Sequence, residues 1–249
     1  MIGILIQVII FWIIGMILSL YIHELGHVTV GVLHRWKLFC FVVGPFKLYR
    51  SNMDEPIRFG FETNLLHWFG IGATVPAKKS PENLNTWAKV LLAGPIFSLI
   101  GGVIFLGCAL AFRSLFCLMT GLDSLAIGII NLVSSKLRTG LYYNDGTRSR
   151  RIRNGGVPAQ EEAAIMHIIE KSVLYGDDAV YETEECAPLT GSSDPIYQYY
   201  GYFVLYGSAL QHDRDAANAY RNRMEQLSKT VPKAVINMFP MDDNGGAIS

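Results

Sequence analysis

Residues 1–19 carry no charged side chain, and the uncharged run leads into His23-Glu24-Leu25-Gly26-His27. A run of about 20 apolar residues is the length of a bilayer-spanning helix. In hydrocarbon such a segment must satisfy its own backbone N–H and C=O groups, which leaves a helix as the available form. On that helix His23 and His27 are four residues apart, so both imidazoles leave one face about 6 Å apart and can close on a single metal ion. Glu24 lies beside that face, where it can activate a metal-bound water. Three ionisable groups at the end of an apolar run are costly unless they bind something, so the cluster is read as a functional site. The alternative is a bundle in which the histidines satisfy one another or backbone carbonyls.

Composition supports a membrane reading for about the first 150 residues. The chain is 51% hydrophobic and only 17% charged, and its 21 basic and 21 acidic residues cancel. That balance leaves no footprint for nucleic acid. The N-terminal run has no basic segment before it, and the histidine motif stands where a small-residue cleavage site would be expected, so the run is read as a retained helix and not as a signal peptide. A second apolar stretch covers residues 87–112 and contains Ala93-Gly94-Pro95 and Gly101-Gly102. A third covers 115–137 and is interrupted around Thr120-Gly121-Leu122-Asp123, which puts the turn between the two near Arg113 or near Asp123. Pro95 is expected to kink its helix, and Ala93, Gly94 and Ser98 to let a neighbouring backbone approach.

Basic residues flank these stretches unevenly. Arg35, Lys37, Lys47, Arg50 and Arg58 follow the first, and Lys136, Arg138, Arg148, Arg150 and Arg151 follow the third. The positive-inside rule places both groups in the cytoplasm, so the first helix runs inward and His23 and His27 lie near its cytosolic end. Within 36–76, the run Leu38-Phe39-Cys40-Phe41-Val42-Val43, the turn signal Gly44-Pro45 and the alternation Phe46-Lys47-Leu48-Tyr49-Arg50 predict a β-hairpin at the cytosolic membrane surface, with Trp68 as an interfacial anchor. Cys40, Cys108, Cys117 and Cys186 form no paired framework. After Arg153 the sequence becomes more polar. Helical patterns cover 158–175, 195–211 and 213–228, the last opened by the cap candidate Asp213.

A mononuclear zinc site with an open position normally has three protein ligands. The extended motif H-E-x-x-H-x-x-G-x-x-H does not supply the third, because Gly31 and His34 each come one residue late. Asp145, in Tyr143-Asn144-Asp145-Gly146, lies on the same side of the bilayer as the histidines by the topology above. Taken alone, Asn144-Asp145-Gly146 also reads as a turn signature.

With these residues in place, the chain resembles the site-2 protease family of intramembrane zinc metalloproteases. The resemblance rests on His23-Glu24-Leu25-Gly26-His27, on Ala93-Gly94-Pro95 opening the second helix, and on Asn131 followed by Asn144-Asp145-Gly146 after the third. It covers roughly residues 5–150. It implies one zinc ion held by His23, His27 and Asp145, with Glu24 as general base, and Asn131, Gly94 and Pro95 as substrate-positioning residues. Two departures stand out. Ser98 occupies a position where the family commonly has asparagine, which bears on substrate positioning, and Val133-Ser134-Ser135-Lys136 lacks the usual prolines.

The expected fold is mainly α: a polytopic membrane protein with about three core transmembrane helices, a small membrane-surface β-hairpin region and a C-terminal helical cytosolic domain. The expected division is a membrane-embedded core over 1–153, a helical domain over 158–240 and a disordered tail over 241–249. The expected activity is hydrolysis of a peptide bond in a membrane-spanning or membrane-anchored protein or peptide, with the lipid bilayer as the surrounding partner. A bacterial cell membrane is the expected location, and the C-terminal helices are expected to offer a surface for a cytosolic protein. The rival is a non-proteolytic membrane scaffold with a structural metal site. A structural site needs no base such as Glu24 beside it and closes its fourth position with another protein ligand.

Overall fold

A computed structural model describes residues 2–51, 53–65, 67–78, 80–133, 138–210 and 212–239 of the chain. The expected tail 241–249 and the stretch 134–137 lie outside the described residues. Those of Met1–Lys136 and Asn144–Arg150 form one compact unit, and those of Leu137–Tyr143 and Arg151–Ser249 form a second.

The first unit is built on three long helices, α1 (Ile2–Leu33), α2 (Asn83–Phe112) and α3 (Leu115–Leu132). All three are long and apolar enough to cross a membrane. Between α1 and α2 lie four strands, β1 (Lys37–Val43), β2 (Phe46–Tyr49), β3 (Arg58–Phe61) and β4 (Ile71–Val75). Helix α1 ends in a Schellman motif: Arg35 takes φ 64°, its N–H donates to Val32 O at 2.9 Å, and Trp36 N–H donates to Gly31 O at 3.0 Å. A left-handed residue also separates α2 from α3. Arg113 has φ 51°, and Ser114 Oγ then caps α3 by accepting from Cys117 N. The turn therefore lies at Arg113. The expected interruption near Asp123 is absent: α3 runs through Thr120-Gly121-Leu122-Asp123, where the Trp12 side chain is hydrogen-bonded to Asp123.

Small residues set how closely the three helices approach. A Cβ on Gly26 of α1 would lie 2.5 Å from Ala93 O of α2, and one on Gly128 of α3 would lie 2.9 Å from Pro95 O. With little hydrophobic drive between helices in lipid, such backbone proximity and buried hydroxyl bonds carry the association. Ser19 Oγ reaches Thr120 O at 3.0 Å, and Ser124 Oγ donates to Ser98 O at 2.9 Å. The outward faces keep their apolar residues exposed, among them Ile6, Ile13, Ile100, Val103 and Ile130.

The expected hairpin is present as β1 and β2, with Gly44 at φ 58° in its turn. It is part of a larger antiparallel sheet of order β3-β2-β1-β4, so β4 is an edge. Tyr21 of α1 meets Phe41 of β1 edge-on at 5.4 Å between ring centroids. A Cβ on Gly31 would lie 2.1 Å from Thr74 Oγ1, which shows how tightly β4 seats on α1.

The second unit begins with the small hairpin β5 (Arg138–Thr139) and β6 (Tyr142–Tyr143). The chain then enters α4 (Asp145–Asn154), whose residues up to Arg150 belong to the first unit, and the second unit continues with α5 (Gly156–Tyr175), α6 (Thr183–Thr190), α7 (Pro195–Ala209), α8 (Arg214–Leu227) and α9 (Lys233–Met238). Asp213 caps α8 as expected, and Asp194 with Pro195 at the first turn opens α7. Ile165, Ile168, Leu189, Tyr197, Tyr199 and Met224 are fully or almost fully buried.

Candidate metal centre

The site starts from one turn of α1. His23 and His27 are buried, and their rings lie 4.9 Å apart between centroids at 81°. Each ring has its Nδ1 engaged and its Nε2 turned inward. His27 Nδ1 lies 2.7 Å from Val90 O of α2, which only a protonated Nδ1 can satisfy. The neutral ring therefore carries its lone pair on Nε2. His23 Nδ1 lies 3.0 Å from Ser98 Oγ, a hydroxyl able to accept in the same way. Partners of this kind orient metal-ligating histidines and fix their tautomers.

Asp145 comes from the first turn of α4, 122 residues along the chain from His23. Its Oδ2 lies 3.1 Å from His23 Nε2 and 3.4 Å from His27 Nε2. Burial acts to raise its pKa, but the two imidazoles outweigh it and hold the carboxyl below the usual carboxylate range. Local structure explains the Asn-Asp-Gly order. Asn144 Oδ1 accepts from Thr147 N at 3.0 Å, capping α4, while its Nδ2 donates to Ile130 O and Val133 O at the end of α3, both at 2.8 Å. A Cβ on Gly146 would sit 2.2 Å from Leu132 O, so only glycine lets α4 start this close to α3. Ser149 Oγ then donates to Ala88 O at 2.8 Å, tying the same helix to α2. The triplet opens a helix here and is not an isolated turn.

Glu24 is partly buried beside the histidines, and each of His23, Glu24 and His27 offers a ligand atom within 4.8 Å of the others. Two carboxylates can thus reach the imidazole pair. They differ in surroundings. Glu24 is hydrogen-bonded by the Gly72 backbone of β4, and Cβ atoms on Gly70 and Gly72 would come within 2.9 Å and 2.7 Å of its side chain. Asp145 lies against both Nε2 atoms.

Gly94 supplies room on the α2 side. A Cβ there would lie 2.3 Å from His27 Nε2 and 2.9 Å from His23 Nε2. Pro95 is buried next to it within an unbroken α2. Asn131 donates Nδ2 to Ile127 O of its own helix at 3.0 Å. His34 is exposed, with Nδ1 2.9 Å from Val30 O.

With both rings neutral, two imidazole nitrogens and a carboxylate oxygen converging here match the donor set of a zinc site that keeps a position open. Sequence reasoning missed the Val90 carbonyl, the Gly72 backbone and the contact of Ser98 with His23. The departure at Ser98 was the available signal. It bears on the histidine itself.

No curated protein and no solved structure matches the chain significantly. A family model, that of peptidase family M50, matches residues 11–249.

Proposed function

The chain belongs to peptidase family M50, the site-2 protease family, and from that premise we propose that it is an intramembrane zinc metalloprotease acting on membrane-spanning or membrane-anchored proteins. The observation that carries this reading is the convergence of His23 Nε2 and His27 Nε2 on Asp145 Oδ2, at 3.1 and 3.4 Å, with Glu24 alongside.

In this reading His23, His27 and Asp145 hold one zinc ion. When bound, zinc supplies a Lewis acid that polarises the scissile carbonyl and brings the pKa of water toward neutrality. The Glu24 carboxylate takes the proton of the attacking water and returns it to the leaving amine. Gly72, through its backbone bond to Glu24, holds that base in place. The closeness of Gly94 to both rings keeps bulk out of the imidazole pair.

A substrate helix hides its carbonyls in its own hydrogen bonds, so it must unwind before it can be cut. Strand β4 is the sheet edge that touches Glu24, and an unwound substrate segment can add to it as a further strand. Gly94, Pro95 and Asn131 are the residues assigned to positioning that segment. The far side of the sheet carries Phe46, Phe59 and Phe61, exposed and in mutual ring contact at 5.6–6.1 Å. They suit contact with the membrane surface. The basic residues after α1 and α3 support an orientation with the metal site near the cytosolic side of the membrane and α5–α9 in the cytoplasm.

The test is cleavage of tagged single-span membrane proteins by the purified, zinc-loaded protein in detergent. The unmodified protein is expected to cut. Glu24→Gln is expected to keep one equivalent of zinc and lose activity by at least about a hundredfold. A protein that binds zinc but cuts nothing, with Glu24→Gln behaving like the parent in cells, would favour the scaffold instead.

A further inference from the structure

Asp145 is the one proposed ligand that α1 does not carry, so something must fix the direction from which α4 presents it. The capping of α4 by Asn144 sets where the helix starts. It does not by itself set the rotation of the helix about its axis, which the bond of Ser149 to Ala88 O constrains from one side. Three residues after Asp145, and so on the same face of α4, Arg148 is turned inward and is only 6% exposed. Long basic side chains near membrane helices ordinarily reach out to water, and a buried guanidinium is retained only where its surroundings compensate. Its guanidinium carbon lies 5.4 Å over the ring of Trp87, in the first turns of α2. Trp87 in turn stacks on Trp36 at 6.1 Å with 17° between the planes. Trp36 is also 6% exposed and belongs to the Schellman end of α1.

One stack therefore joins the three elements that build the metal centre. The end of α1 carries Trp36 beyond the two histidines. The start of α2 carries Trp87 just before Val90, whose carbonyl holds His27. The first turns of α4 carry Arg148 after Asp145. We propose that Arg148, seated on Trp87 and Trp36, is a positioning residue that sets the approach of Asp145 to His23 and His27. Turning α4 so that Asp145 leaves the imidazoles would lift Arg148 off the indole. A cation held over an aromatic face gains most when desolvated, and the planar guanidinium lies on the ring as an ammonium cannot.

This inference rests on Asp145 as a metal ligand, and its test separates the two. Full-length protein in detergent is titrated with zinc against a chromophoric chelator, and the visible absorption of the cobalt-substituted protein reports coordination geometry. Arg148→Ala is expected to lower zinc affinity about 10- to 100-fold, the usual cost of losing a partner behind a metal ligand, and to alter the cobalt bands. Trp87→Leu, which keeps Arg148 and an apolar filler, is expected to give a similar loss and serves if Arg148→Ala does not fold. Arg148→Lys is expected to restore part of the affinity. In an Asp145→Ala background, Arg148→Ala is expected to add nothing. Unchanged affinity and cobalt spectrum in Arg148→Ala and Trp87→Leu would overturn the proposal while leaving Asp145 as a ligand. An equal loss with and without Asp145 would overturn it too, as general loosening. If Asp145→Ala alone leaves zinc affinity intact, the ligand assignment fails and takes this proposal with it.

Discussion

The two units of the protein each bury a cluster of polar and charged side chains, and the clusters are built in opposite ways. In the helical unit Glu161 and Glu162 both pair with Arg151, Ser192 Oγ donates to Glu161 at 2.5 Å, and Tyr197 OH donates to Glu162 at 3.1 Å. Arg138 likewise pairs with Asp194, which also accepts from Tyr143 OH at 2.9 Å. Carboxylates there meet cations and hydroxyl donors supplied by the same unit. In the membrane unit the Nδ1 atoms of the two histidines face Val90 O and Ser98 Oγ, and both Nε2 atoms turn onto one oxygen of Asp145, so the match is completed only by a proton or a metal ion among them. Converging acceptors repel one another unless a proton or a metal ion lies among them. Charge paired within the protein holds a fold together, while a convergence that a metal ion can complete in place of a proton leaves room for a guest.

The largest effect that would break this contrast lies at the histidines. His27→Ala is expected to reduce bound zinc from one equivalent to a small fraction and to abolish cleavage, while the thermal unfolding of the helical unit stays where it was. Metal analysis beside circular dichroism reads both. Retention of a full equivalent of zinc would mean that the convergence is not a metal site. Next comes Gly94→Ala. The added methyl would stand 2.3 Å from His27 Nε2, a distance no real contact tolerates, so a ring must move. Zinc affinity is expected to fall at least about tenfold by chelator competition, in the range found for disturbed metal shells. Unchanged affinity would show that the site tolerates displacement of the ring and is less tightly specified than the contrast requires.

How much of this was legible in the sequence depended on whether the determinant was local. His23, Glu24 and His27 share one helical turn, and helical spacing alone brings them together. The three spans follow from runs of apolar residues, and the β1–β2 hairpin from its alternation and turn. Asp145 came into view through the expected topology, which put it on the histidines' side of the bilayer, and its role as a ligand came only with the family resemblance, because no local pattern shows that a helix start 122 residues away returns to the same imidazoles. The Val90 carbonyl and the Gly72 backbone could not be read from residue types, since any residue can offer a carbonyl or an N–H. Strands β3 and β4, four and five residues long, are too short for periodicity to separate from loop. The same holds for the eight-residue α6 and the six-residue α9. Of the two places expected for the turn between α2 and α3, the structure has the one at Arg113, and α3 continues through Asp123.

A smaller effect sharpens the other half of the comparison. Tyr197→Phe removes only the hydroxyl that donates to the fully buried Glu162. Hydrogen bonds to charged groups contribute about 1.5–3 kcal/mol, and a loss in that range is expected in the unfolding of the helical unit. Zinc binding is expected to be unchanged. A fall in zinc content would mean that the two clusters are not independent.

The smallest effect is a pH dependence confined to the helical unit. Glu185 closes the capping box of α6 by accepting from Glu182 N at 3.0 Å, and it also meets Lys171 Nζ at 2.8 Å and His167 Nε2 at 3.0 Å. Burial acts to raise its pKa, but Lys171, the Glu182 N–H and His167 together hold it down to about 2. A folded value below the ordinary carboxylate value of the unfolded chain stabilises the fold above that ordinary value. The contribution is lost as pH falls from there through about 2, where the folded state too takes up the proton. Glu185→Gln keeps a side chain that can still cap but cannot titrate. Melts recorded at steps from about pH 5 to pH 3 are expected to show the parent losing stability faster than Glu185→Gln, by a margin that shrinks with added salt because the group is partly exposed. Parallel curves would remove Glu185 from the charges that hold this unit together, and would leave the Arg151 cluster as the stronger case of paired burial.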